Sequence, residues 1–224
     1  MKTSDFRWPF LIILVSIPIV SNFVNPTSLG VSAEWSDGRY QIAGGTAPWA
    51  IAYSVGIGAL YVWLMYARSS PNKKTVLGLV RRWLAFWMDF VLSIMAIAPI
   101  LGLIPMCAEW NRTGVFAWNF ERTTLQTGDK LDIAVSTLIG VASIFAFYAL
   151  PLYMNRPSPG SCIAGYQITA IGEDPLTLRQ SLLRTLLGFV ASATPYLVPV
   201  LKRNRQRGQF WLDLVFGTQA VELH

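Results

Sequence analysis

Asp89 is the residue of this 224-residue chain with the strongest claim to chemistry. It interrupts RRWLAFWMDFVLSIMAIAPILGLI, residues 81–104, an apolar run headed by two arginines. A charged side chain at the centre of a membrane helix costs roughly 2.5–3.5 kcal/mol on insertion scales, so it usually faces protein or water and takes a partner. Arg82 lies one heptad earlier, so on a helix it shares a face with Asp89, about 10 Å away along the axis, with Ala85 between them. Two readings are open. Asp89 is an ion or proton site that exchanges a proton for a cation. Alternatively it is half of a charge clamp, bridged to Arg82, Arg184 or Arg207 at the cytoplasmic face. A second carboxylate, Asp213 in FWLDLVF, either meets the headgroup layer, caps Arg207, or closes the same cluster with Arg82 or Arg184.

Nothing else in the chain forms a catalytic constellation. The single histidine is His224, which removes histidine metal sites and Ser-His-Asp or Cys-His pairs. No phosphate-binding glycine loop and no dinucleotide fingerprint occurs. The expectation is a protein that is not an enzyme, with no cofactor and no metal site. The two cysteines, Cys107 and Cys162, are too few for a disulfide framework and fall on opposite sides of the expected membrane.

The elements that must position these residues read as membrane helices. Hydrophobic residues make up 53% of the chain and charged residues 13%, against about 25% charged in soluble domains. The net charge of +6 does not imply nucleic acid, because the basic residues stand at the ends of apolar runs. Residues 8–24 form a first span; a cleaved leader ending near Val31-Ser32-Ala33 is the competing reading. Residues 25–47 read as a polar, Gly-rich outer loop. Residues 48–67 are a second span with aromatic residues at both ends. Residues 68–82 carry five basic residues and no acid, which makes this linker cytoplasmic. A third span covers 83–106 and a fourth 131–154, joined by an outer loop over 107–130 that holds the Asn111-Arg112-Thr113 sequon.

After the fourth span, Pro157, Pro159 and Gly160 make a turn and residues 164–171 a short strand. Thr177 caps an amphipathic helix. Residues 182–201 are long enough to span, but basic clusters flank both ends. That favours a re-entrant or interfacial segment over a fifth crossing. Residues 210–216 read as a helical turn, and 219–223 as a strand able to pair with 164–171. The fold class expected is therefore an all-α polytopic membrane protein. It has four transmembrane helices, a re-entrant or interfacial C-terminal segment and a small cytoplasmic strand pair. Both termini are cytoplasmic, in the plasma (inner) membrane. Partners expected are the bilayer, with anionic lipid at the cytoplasmic face, and a second copy or another membrane protein.

Residues 80–223 resemble the RDD family of small membrane proteins, named for one arginine and two aspartates. The resemblance rests on Arg82-x-x-Ala85-x-x-x-Asp89, on Ser158-Pro159-Gly160 with Gly165, on Ser181-Leu182-Leu183-Arg184, and on Arg207 with Asp213-x-x-x-Gly217-Thr218. It implies that the three name-giving residues are Arg82, Asp89 and Asp213. It also implies a transporter, sodium–proton exchange being linked to some members. Two positions depart from the pattern: Ser161 replaces a usual lysine, and Leu212 a frequent histidine. The resemblance divides the chain into a two-helix N-terminal extension, residues 1–70, and an RDD-like membrane domain, residues 75–224. A non-transporting scaffold held by an Arg/Asp clamp is the alternative. The absence of internal repeats in so short a chain favours it, unless the protein oligomerises.

Overall fold

The computed structural model describes residues 16, 29–36, 39–66, 71–74, 79–122, 127–171, 175–193 and 211–223. The described residues are mostly helical. Three helical stretches are long and apolar enough to cross a membrane: Pro48–Tyr66, Arg81–Thr113 and Lys130–Tyr153. The expected first span, residues 8–24, lies outside the described residues apart from Ser16, as do Arg207 and residues 194–201. The chain forms two compact units, one built from residues 1–8, 60–91 and 145–224, the other from 9–59 and 92–144.

The second of these units departs most from expectation. Residues 25–47 do not simply form a loop. Strands β1 (Leu29–Ser36) and β2 (Arg39–Thr46) pair antiparallel, in a register running from Leu29 opposite Thr46 to Ser36 opposite Arg39. Asp37-Gly38, between the two strands in sequence, is a pair that two-residue hairpin turns favour. A third strand, β4 (Asn119–Arg122), adds to β2, with Gly45 opposite Asn119. A Cβ on Gly45 would lie 2.7 Å from the Trp118 carbonyl oxygen, a backbone atom that cannot swing aside, which explains glycine there.

Helix α1 (Pro48–Tyr66) follows β2 directly. The buried Ser54 hydroxyl of α1 donates to the Ala96 carbonyl of α2 (Leu79–Leu101). Helix α2 halts at Gly102 and restarts as α3 (Leu103–Thr113), which occupies part of the expected outer loop. Gly102 brings the helix break against Thr46: a Cβ there would lie 3.4 Å from the Thr46 Cβ. Helix α3 ends on Gly114 at φ 72°, a left-handed conformation that glycine adopts without penalty. Its Arg112 pairs with Asp132 of α4 (Thr127–Tyr153) at 3.0 Å, on the surface.

In the first unit, the end of α4 is capped by Asn155 at φ 52°, while the Arg156 amide donates back to the Pro151 carbonyl. Then comes α5 (Pro159–Ile163), with Ser158 as its N-cap and proline at its first position. Strand β5 (Tyr166–Ala170) pairs antiparallel with β6 (Thr218–Leu223), Tyr166 opposite Glu222 and Ala170 opposite Thr218. The sheet has a third member absent from the sequence reading: β3 (Pro71–Lys74), part of the basic linker, on the other edge of β6. Gly165 and Gly217, at φ 71° and 58°, bracket the strand pair. Helix α6 (Leu178–Ala193) starts with a reciprocal cap: Gln180 N–H donates to the Thr177 hydroxyl, and Thr177 N–H to Gln180 Oε1. Helix α7 (Trp211–Phe216) leads into β6.

Apolar packing supports this unit around α2. Ala85 is buried with Ala164, Tyr166 and Ala220. Phe86, Phe90, Phe145, Tyr148 and Phe189 make a chain of ring contacts at centroid separations of 4.8–6.1 Å. The Tyr148 hydroxyl donates to the Phe86 carbonyl at 2.7 Å, and Tyr61 to the Phe147 carbonyl at 2.5 Å.

Candidate functional site: two buried carboxylates

Arg82 and Asp89 start from one face of α2 but take different partners. Arg82 Nη1 donates to Asp213 Oδ2 at 2.5 Å. Arg184 Nη2, from α6, donates to Asp213 Oδ1 at 2.7 Å, and the Thr218 hydroxyl donates to the same oxygen at 3.2 Å. Asp213 is fully buried, and the two arginine side chains are 11% and 6% exposed. Burial of this depth is tolerable for a carboxylate only because two guanidiniums and a hydroxyl replace its water. The arginines are not saturated. Arg82 Nε and Nη2 and Arg184 Nη1 are buried without a hydrogen-bond partner among the described residues. Burial lowers the Arg184 pKa from its ordinary value, and the Asp213 carboxylate opposes that shift.

Asp89 is held instead by the turn ahead of β5. Ser158 Oγ donates to Asp89 Oδ2 at 2.6 Å, and the Gly160 amide donates to Oδ1 at 2.6 Å. Asp89 is 4% exposed, and no arginine or lysine among the described residues forms an ion pair with it. Gly160 is where backbone approaches backbone. A Cβ there would clash with the Ala85 carbonyl oxygen and lie 2.9 Å from the Asp89 carboxyl carbon. The Ser158 hydroxyl also caps α5, accepting from the Ser161 amide at 3.3 Å. Arg81 ties the far side of the turn, donating to the Ala164 carbonyl at 2.5 Å.

Tyr166 lies between the two centres, within electrostatic reach of Asp89, Arg82, Arg184 and Asp213; burial pushes its phenol above the ordinary range. Asp89, Arg82, Arg184 and Tyr166 all line one cavity of about 330 Å³. Ser158, Ser161 and Arg156 add polar groups to its wall, and Phe86, Tyr148, Leu152 and Ile168 give most of the rest an apolar surface.

The five charged residues singled out from sequence thus divide. Arg82, Arg184 and Asp213 come together; Asp89 belongs to a separate hydrogen-bonded centre; Arg207 lies outside the described residues. Of the turn residues, Pro159 and Gly160 shape the Asp89 centre, Gly165 and Gly217 bracket the strand pair, and Thr218 contacts Asp213. Ser158 and Tyr166 were not singled out as site residues. Ser158 had a legible signal, a hydroxyl before Pro-Gly at a helix start. Tyr166 had none, since a tyrosine in a short strand is ordinary.

A family model, the RDD family, matches residues 76–217. The chain belongs to the RDD family. The match covers well over half of its length and takes in Arg82, Asp89 and Asp213, as well as Ser158, Tyr166 and Arg184. Together with its apolar helices, it makes the chain a membrane protein of that family. No curated protein and no solved structure matches the chain. Among the described residues no cluster of three or more metal-binding side chains occurs.

Proposed function

We propose that this RDD protein is a transporter in which Asp89 is the proton-exchanging carboxylate. The observation that carries the reading is the contrast in partners. Asp89 lies in a helical stretch long and apolar enough to cross a membrane, lines a cavity, is bonded by a hydroxyl and an amide, and has no cationic partner among the described residues. A carboxylate held by neutral donors can take up a proton without breaking an ion pair. The Asp213 centre, with two arginines, cannot. The topology that goes with this reading has four spans, both termini in the cytoplasm and the plasma membrane as location; the basic linker 68–82 supports that orientation. Exchange against sodium is the form of transport that the family resemblance brings.

The test is purified protein in proteoliposomes with an internal pH dye under an imposed sodium gradient. Proton movement in the wild type that Asp89→Asn abolishes is the expected result. Equal flux from both proteins, or none from folded wild type, overturns it. The second reading, a non-transporting scaffold, is favoured by the Arg82–Asp213–Arg184 clamp, which joins α2, α6 and α7. It predicts wild-type vesicles as tight to protons as empty ones.

A further inference from the structure

We propose that the cavity beside Asp89 binds an amphiphile with an oxyanion headgroup, and that binding is linked to protonation of Asp89. The inference concerns binding alone and stands or falls separately from transport. Its first support is charge. Arg82, Arg156 and Arg184 line the cavity, against one lining carboxylate, Asp89. Asp213 offsets one arginine and an ionised Asp89 a second, which leaves one positive charge; a proton on Asp89 leaves two. The excess positive charge attracts an anion.

The second support is unmet hydrogen bonding. Arg184 is 95% buried in the cavity wall, and its Nη1 has no partner among the described residues; nor have Arg82 Nε and Nη2. Guanidinium forks match planar and tetrahedral oxyanions, and buried donors without acceptors destabilise the fold. A headgroup oxygen is the acceptor they lack. The third support is the wall. Phe86, Tyr148, Leu152, Ile168, Ala191 and Leu212 present apolar surface beside the charged end. A volume of about 330 Å³ lies in the range of small-ligand sites. A small inorganic anion would leave that surface unused; an alkyl or acyl segment covers it.

Linkage follows from the shared space. The groups that face Asp89 are Ser158 and the Gly160 amide from the α5 turn, Tyr61 from α1, Tyr148 from α4, and Tyr166 from β5. Arg82 from α2, Arg184 from α6 and Arg156 after α4 share its cavity. An anion there and an ionised Asp89 repel one another, so each anion bound favours one proton bound, and reciprocally. Anion affinity is highest at low pH and falls as Asp89 ionises, by a factor of about 5–150, the usual span of such couplings.

The test uses octanesulfonate, whose headgroup does not titrate, added to the full chain in an uncharged detergent. Calorimetry in buffers of different ionisation enthalpy reads both affinity and protons taken up. Octanesulfonate should bind more tightly than inorganic sulfate, and octyltrimethylammonium should not bind. Proton uptake should peak at about 0.4–0.85 per anion, the maximum that such a coupling allows, and vanish in Asp89→Asn, which should bind with an affinity independent of pH. Ala191→Phe, which fills the cavity without touching the clamp, should abolish binding; Arg184→Lys should weaken it. Repeating the titration in nanodiscs identifies the natural source. Competition by an anionic lipid, against none from phosphatidylcholine, points to the bilayer; no competition points to a soluble amphiphile. Binding unaffected by Ala191→Phe, or equal binding of the cationic probe, overturns the site. Binding without proton uptake overturns the linkage.

Discussion

Asp89 and Asp213 are both buried carboxylates, yet they solve burial in opposite ways. Asp213 accepts from two guanidiniums and a hydroxyl, so its charge is matched twice over. Asp89 accepts from one hydroxyl and one amide and keeps a face on a cavity. The first arrangement fixes the charge in place. The second leaves it free to change. Counting acidic residues in apolar sequence would have ranked the two alike; what separates them is the kind of donor each meets.

The largest test of that contrast is Asp213→Ala. It leaves two arginines buried without their acid, and breaking one buried pair this way typically costs 3–5 kcal/mol. Thermal unfolding in detergent should show the protein near or past its stability limit, whereas Asp89→Asn should stay folded. Comparable losses from the two would erase the distinction. Next comes Gly160→Ala, which pushes a methyl group into the Ala85 carbonyl and the Asp89 carboxyl carbon. A loss of about 3 kcal/mol, at the upper end for overpacking, should appear in denaturant unfolding. Ser158→Ala removes one of the two donors to Asp89 and the cap of α5 together. A cost of about 2 kcal/mol is expected, in the range for hydrogen bonds to charged groups, with the same substitution at Ser192 as a control.

A smaller effect belongs to Tyr166, between the centres. Its pKa is raised in the fold, so its proton is held there while the unfolded chain releases it above the ordinary value of 10.0. The contribution to stability is complete below pH 10 and declines as pH rises further. By pH 11 it should have cost about 1.4 kcal/mol, one pH unit's worth, relative to a Tyr166→Phe protein. A pH series of unfolding midpoints for the two proteins checks this. The smallest effect is that of Arg112→Ala, which breaks an ion pair whose partners are 32% and 29% exposed. Exposed pairs contribute about 0.2–1 kcal/mol and are screened by salt, so the difference should disappear at high ionic strength.

Much of the helical layout was legible because membrane helices announce themselves by length and by the charges at their ends. Helices 48–66 and 127–153 lie within a few residues of expectation. The cap at Thr177 and the helical turn before Gly217 also followed from local chemistry. The β1–β2 hairpin went unread because glycine and polar residues in 25–47 suggested a loop, although Asp37-Gly38 was visible between alternating residues. Strand β3 was hidden by its own charges: Pro-Asn-Lys-Lys reads as a topology signal, and edge strands tolerate such residues. At the site, sequence placed Arg82 and Asp89 on one helix face but could not pair them. Arg82 turns to an acid 131 residues later, and Asp89 to a turn 71 residues later, and neither separation leaves a local trace.

The long separation between Arg82 and Asp213 has a consequence for biosynthesis. At about 5–20 residues per second, the ribosome delivers the acid of order ten seconds after the arginine. Through that interval α2 is already made, and its charged end must be sheltered by water, lipid headgroups or the insertion machinery. Locking of this unit is therefore a late event, completed only when α7 arrives to join helices made long before it.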